Sequence, residues 1–112
     1  MKYKELRSIE AWQQALEGSM EKPAVVFKHS TRCPVSAGAL EEFEHYLEDE
    51  RNTAVDYYFV RVIESRPVSN QIAEDLAVRH QSPQIIYVDK KQQVWNDSHW
   101  NITYAFLEEK LG

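Results

Sequence analysis

A single cysteine sets the chemistry open to this chain. Cys33 stands in the run His29-Ser30-Thr31-Arg32-Cys33-Pro34-Val35-Ser36, after the apolar stretch Ala24-Val25-Val26-Phe27 and before a long amphipathic segment. The apolar stretch reads as a buried strand and the amphipathic segment as a helix, which places Cys33 at that helix's first turn. Backbone N–H groups there have no intrahelical acceptor, and the positive end of the helix dipole faces the same point, so the thiolate is favoured over the thiol. A free thiol titrates near 8.5, and half-ionisation near neutrality takes about 2 kcal/mol in favour of the anion. A helix terminus supplies up to about 2 kcal/mol, and the adjacent Arg32 adds attraction. Cys33 is therefore expected to be a nucleophile. Ser36, three positions on, cannot close a disulfide with it, so an adduct on Cys33 must be resolved by a thiol from outside.

The elements that must position this sulfur follow from apolar spacing. Ser8 is the expected N-cap of a first helix with Ile9, Trp12 and Leu16 on one face and Gly18 as its stop. The near-continuous apolar run 24–29 predicts a strand buried on both faces. A second helix opens at Pro34, whose missing N–H has no acceptor to lose, and buries Leu40, Phe43 and Leu47. Glu41, Glu42, Glu44 and Glu48 then form a solvated outer face, and Glu48-Asp49-Glu50 oppose the dipole with Arg51 as a small offset. Val55–Ile63 predicts the second strand, Ser65-Arg66-Pro67 a helix start, and Ile72 and Leu76 the buried face of a helix ending near Arg79. Ser82-Pro83 precedes a third strand, Gln84–Val88, and Asp89-Lys90-Lys91-Gln92 turns into a fourth at Val94-Trp95. A closing helix is expected to be capped by Asn101 and to bury Ile102 and Phe106. The order implies an α/β fold: a four-stranded mixed sheet flanked by four helices, with the first two strands parallel through a right-handed crossover and the last two an antiparallel hairpin.

Composition narrows the function classes. The 112 residues suit one domain spanning 1–112, and 43% hydrophobic residues with only three glycines describe a globular protein. A formal charge of -5 with scattered basic residues leaves no positive stripe for a phosphate backbone, so nucleic acid is not an expected partner. No segment has the apolar length of a membrane span or a secretory signal, and one cysteine suits a reducing compartment, so the expected location is cytoplasmic.

With these elements in place the chain resembles the thioredoxin fold over nearly its whole length. Ser30-Thr31-Arg32-Cys33-Pro34-Val35-Ser36, together with Gln81-Ser82-Pro83 and Asp97-Ser98-His99, resembles more narrowly the monothiol bacilliredoxin family, the YtxJ-type bacillithiol-linked proteins. That resemblance implies catalytic roles for Cys33, Pro34 and Ser36. Cys33 would attack a mixed disulfide between a client protein and bacillithiol, a small thiol carrying a glucosamine and a malate. No resident cofactor is implied; bacillithiol is a transient mixed-disulfide partner, beside S-bacillithiolated clients and a reducing thiol or reductase. It also implies a cis peptide at Ser82-Pro83, with Ser82 offering its backbone to an extended substrate as an added strand. Dithiol thioredoxins carry a buried acid six residues before the nucleophile; Phe27 holds that position, in keeping with the missing second thiol.

In the same family comparison the loop Asn96-Asp97-Ser98-His99-Trp100 would approach the cysteine helix. Its donors and acceptors suit a sugar, with Asp97, Ser98 and His99 as contacts and Trp100 either stacking on the sugar or stapling the next helix. Arg32, Arg79 and Lys28 are candidates for the malate carboxylates, although Lys28 and His29 could equally close the strand. Rival classes are a thioredoxin-like adaptor with an inert Cys33, a small-thiol-dependent iron–sulfur protein using the C-x-x-S site, a thiol peroxidase, and a metal site begun by His29 and Cys33.

Overall fold

The computed structural model describes residues 2–49 and 52–112, so the predicted roles of Glu50 and Arg51 lie outside the described residues. The elements in chain order are β1 (Lys4–Glu5), α1 (Ile9–Gly18), β2 (Ala24–His29), α2 (Pro34–Glu48), β3 (Asp56–Arg61), α3 (Arg66–Leu76), β4 (Gln84–Asp89), β5 (Gln92–Ser98), a 3₁₀ turn (His99–Asn101) and α4 (Tyr104–Leu111). The sheet has five strands in the order β1-β3-β2-β4-β5, not the four expected. The additional strand, β1, is only two residues long and pairs parallel with Tyr58 and Phe59. Two charged residues carry no alternation, so nothing local announces it. Strands β2 and β3 pair in parallel, while β4 runs antiparallel to β2 and β5 antiparallel to β4.

Local chemistry accounts for most of the boundaries. Ser8 Oγ accepts from Ala11 N at 3.0 Å and starts α1, which runs through Gly18 to a cap at Ser19. Pro34 and Pro67 occupy first-turn positions of α2 and α3. Helix α3 stops at Ala77, whose φ of 53° lies in the left-handed region. The closing helix is capped by Thr103, which accepts from Phe106 N at 3.1 Å, and not by Asn101. Asn101 instead completes the 3₁₀ turn and donates to Asp97 Oδ1. Ile102 is buried as expected, but Phe106 is only partly so, and Leu107 and Leu111 take the deeper positions.

Every residue of β2 is buried, and its side chains divide between two cores. Ala24 and Val26 join an aliphatic cluster with Trp12 of α1 and Val68, Ile72 and Leu76 of α3. Val25 and Phe27 join an aromatic cluster with Phe43 and Leu47 of α2, Phe59 of β3 and Leu107 of α4. The outer face of α2 is not purely solvated: Glu44 accepts from the Tyr3 hydroxyl at 2.8 Å, and Glu42 from Tyr104 N at 3.0 Å. These bonds tie α2 to the N-terminal segment and to α4. Phe27 stacks on Phe43 with centroids 4.8 Å apart and lies 6.3 Å from Phe59, joining β2 to the helix that follows Cys33. Truncation in Phe27→Ala is expected to lower stability by about 3–5 kcal/mol. Urea denaturation followed by far-UV circular dichroism checks this, and a loss within experimental scatter of zero would contradict the packing described.

Candidate functional site

Cys33 is the N-cap of α2, with φ −109° and ψ 120°, and its side chain makes no capping bond. Cys33 is half-buried, and as the N-cap it stands at the positive end of the helix. Its backbone is fixed on both sides: Cys33 N donates to Ser30 O at 3.2 Å, and Ala37 N donates to Cys33 O at 3.1 Å. Arg32 and Pro34 are exposed beside it.

Ser36 is fully buried, in contrast to Cys33 one turn earlier. Its Oγ accepts from Ser30 N at 2.9 Å and lies 2.8 Å from His29 Nδ1. A hydroxyl carries one proton and two lone pairs, so alongside the Ser30 N–H this oxygen can pair with either tautomer of the His29 ring. Burial holds the His29 ring below the ordinary imidazole value, against the Ser36 backbone and the carboxylates of Glu64 and Glu44, which favour the cation. His29 is thus a neutral, buried anchor stacked on Phe59 at 5.6 Å. The sequence offered it only as a strand end or a metal ligand; its partner three residues past the cysteine was the available signal.

Lys28 points to the opposite face and has no exposure. Its Nζ donates to Ser69 O at 3.0 Å and lies 3.3 Å from His80 Nδ1. Burial lowers its pKa from 10.5 to about 8. Lys28 therefore cannot serve as a surface cation for a ligand's carboxylates, whereas Arg32 and Arg79 remain exposed.

The Ser82–Pro83 peptide is cis, and Pro83 O accepts from His99 N at 3.0 Å. That bond joins the start of β4 to the 3₁₀ turn. The expected loop 96–100 begins later than predicted, because β5 continues to Ser98, which pairs with Gln84. Asp97 Oδ1 is occupied within the turn, accepting from Ser98 N at 2.8 Å and Asn101 Nδ2 at 2.9 Å. Ser98 Oγ lies 3.0 Å from His99 Nδ1, and His99 has a left-handed φ of 57°. Trp100 is 78% exposed, which rules out the stapling role. Between this turn and α2 lies a groove of about 210 Å³ lined by Val35, Gly38, Ala39, Glu42, His99, Trp100, Ile102 and Thr103. It begins two residues beyond Cys33. A larger cavity of about 280 Å³ lies near the C-terminal end of α2, lined by Tyr46, Leu47, Val55 and Tyr57 among others, and contains no cysteine.

Residues 30–36 thus form one turn around Cys33; Pro83 and His99 are bonded to each other, and His99 shares the groove with Val35. A parallel–antiparallel sheet with a partly exposed cysteine capping α2 and a cis proline opening β4 defines a thiol redox protein of thioredoxin fold. Solved structures bear out the architecture. Fasciola hepatica thioredoxin superposes with a TM-score of 0.75 at 13% identity, covering 96% of this chain and 95% of that one. Oxidised thioredoxin O2 of Arabidopsis thaliana gives 0.75 at 17% identity, covering 99% and 96%. A structure described by its thioredoxin fold and a provisional oxidoreductase assignment reaches 0.83 at 33% identity, covering 96% and 92%. Residues 4–107 match the family model described as monothiol bacilliredoxin BrxC, and the chain belongs to that family.

Two measurements test this geometry. Ser36→Ala leaves the Ser30 N–H and the His29 ring nitrogen without their partner and is expected to cost about 1–3 kcal/mol, read from the denaturant midpoint. For Lys28 the folded pKa of about 8 lies below the usual 10.5. The unfolded chain therefore binds more protons between those values, and stability should rise as pH increases from about 8 toward 10. Urea midpoints in that window should climb for the native protein and stay flatter for Lys28→Met.

Proposed function

We propose that the protein removes bacillithiol from S-bacillithiolated proteins of the cytoplasm by monothiol exchange at Cys33. The observation that carries this reading is the pairing of a half-buried, uncapped Cys33 with a Ser36 hydroxyl already committed to Ser30 and His29. The Cys33 thiolate attacks the bacillithiol sulfur of the mixed disulfide. A disulfide forms between Cys33 and bacillithiol, the bond between the bacillithiol sulfur and the client's sulfur breaks, and the client leaves as a thiolate that takes a proton from water. A second thiol, free or from a reductase, then attacks the adduct, releases bacillithiol and returns Cys33 to its reduced state. Ser36 offers no sulfur for an internal second attack, so the adduct persists until that external thiol arrives.

In this reading Arg32 lies beside the sulfur as a carboxylate partner for the malate, and guanidinium geometry suits bidentate contact. The exposed Trp100 and the His99 ring flank the groove beside α2 and supply a stacking face and a polar contact for the sugar. Ser82 is placed next to Pro83 to meet the client's backbone, and Ser98 orients His99. Asp97 acts indirectly, by holding the turn.

Intact-mass spectrometry of the protein mixed with a bacillithiol-modified client provides the test. The adduct mass should move to this chain, and Cys33→Ala should abolish the transfer. Ser36→Cys should expel bacillithiol from the adduct and leave the chain with an internal disulfide, lighter by two hydrogens than the reduced variant. Transfer that survives Cys33→Ala, or none with the native chain, rejects the proposal.

A further inference from the structure

The segment Arg79–Pro83, which leads to the Ser82–Pro83 peptide, is tied to the sheet from two adjacent strands. Lys28 of β2 and Gln84 of β4 are cross-strand partners, and neither side chain has any exposure. Gln84 Nε2 donates to Arg79 O at 3.0 Å, while its Oε1 is buried with no hydrogen-bond partner among the described residues. Lys28 Nζ reaches Ser69 O of α3 and His80 Nδ1. Both are polar side chains at fully buried strand positions, so apolar burial is not what these positions supply. What they supply is a hold on the first two residues of the segment.

The Lys28–His80 contact has a definite protonation requirement. An ammonium only donates, so Nδ1 must be an acceptor, and the Ser69 hydroxyl lies on the same nitrogen at 3.4 Å. Partial burial disfavours the His80 imidazolium, and the charged groups acting on it, Lys28 of β2 and Arg66 of α3, are both cations that add to the effect. The two ends of the pH range then act differently. When Lys28 loses its proton, the neutral amine keeps two N–H groups, enough for Ser69 O and His80 Nδ1. When His80 gains one, the acceptor disappears and two cations face each other.

We propose that Lys28 and His80 are positioning residues: their contact holds Arg79–Pro83 against the sheet so that Ser82 meets the polypeptide whose mixed disulfide Cys33 attacks, and protonation of His80 releases the segment. This rests on the exchange reading above, so the test has one arm that needs no exchange activity. In the ¹⁵N-labelled full chain, the amide signals of Gln81, Ser82 and Gln84 are followed from about pH 8 down to about pH 5. They should move with the His80 ring midpoint, and the movement should vanish in His80→Asn, whose Oδ1 replaces Nδ1 as an acceptor that does not titrate.

The second arm compares two disulfides as Cys33 substrates: a small aromatic disulfide and an extended peptide carrying a bacillithiol mixed disulfide. Lys28→Met should raise KM for the peptide roughly two- to tenfold, with its kcat and the small-disulfide rate unchanged, whereas His80→Asn, which keeps an acceptor for Lys28, should retain the native KM. Loop amides that ignore the His80 midpoint, equal slowing of both probes in Lys28→Met, or a His80→Asn variant as impaired as Lys28→Met would each overturn the proposal. A failure of exchange with both probes while the amides still track His80 would instead overturn the exchange reading and leave the positioning result standing.

Discussion

The site depends on one buried hydroxyl. Ser36 Oγ receives the Ser30 amide and faces the His29 ring, so the end of β2, the connecting turn and the first turn of α2 are fastened together around a single oxygen. A hydrogen bond of this kind contributes only about 1 kcal/mol net, but an unpaired buried amide costs more than that, and the penalty holds the turn in one arrangement. Cys33 lies inside this fastened turn with its own side chain left out of the fastening. Its freedom to react is the counterpart of its neighbours' confinement.

The strand beneath the turn serves both faces of the sheet. Along β2 the odd positions Val25, Phe27 and His29 face α2, and the even positions Ala24, Val26 and Lys28 face α1 and α3. Near its start both faces are apolar; at its C-terminal end each face receives a titratable side chain. On one side His29 secures the cysteine turn, and on the other Lys28 reaches the segment before Pro83. Two successive residues of one strand therefore touch both loops that bracket the proposed reaction.

Most of the architecture was legible because it rests on long apolar periods. Trp12, Phe43, Leu47, Ile72 and Leu76 are buried as their spacing demanded, and Pro34 marks the start of α2. What escaped reading was short or non-local. The strand at Lys4–Glu5 exists only because Tyr58 and Phe59 are beside it, and the extension of β5 to Ser98 depends on pairing with Gln84. Lys28 and His29 look like a solvated strand end because their partners, Ser69, His80 and Ser36, are contributed by other segments. Asp97 and Trp100 were recognised as a polar and an aromatic residue near the site, yet only the folded turn separates an internal acceptor from an exposed ring.

The placement of β1 at the sheet's margin bears on how the chain is made. Lys4 and Glu5 find their partners in Tyr58 and Phe59, so the earliest strand to leave the ribosome must wait for more than half of the polypeptide before it can pair. Until then the side of β3 that it will cover does not yet exist, and β2 has no neighbour either. Lys4 and Glu5 thus pair long after they are synthesised, and in pairing they cover one margin of the sheet.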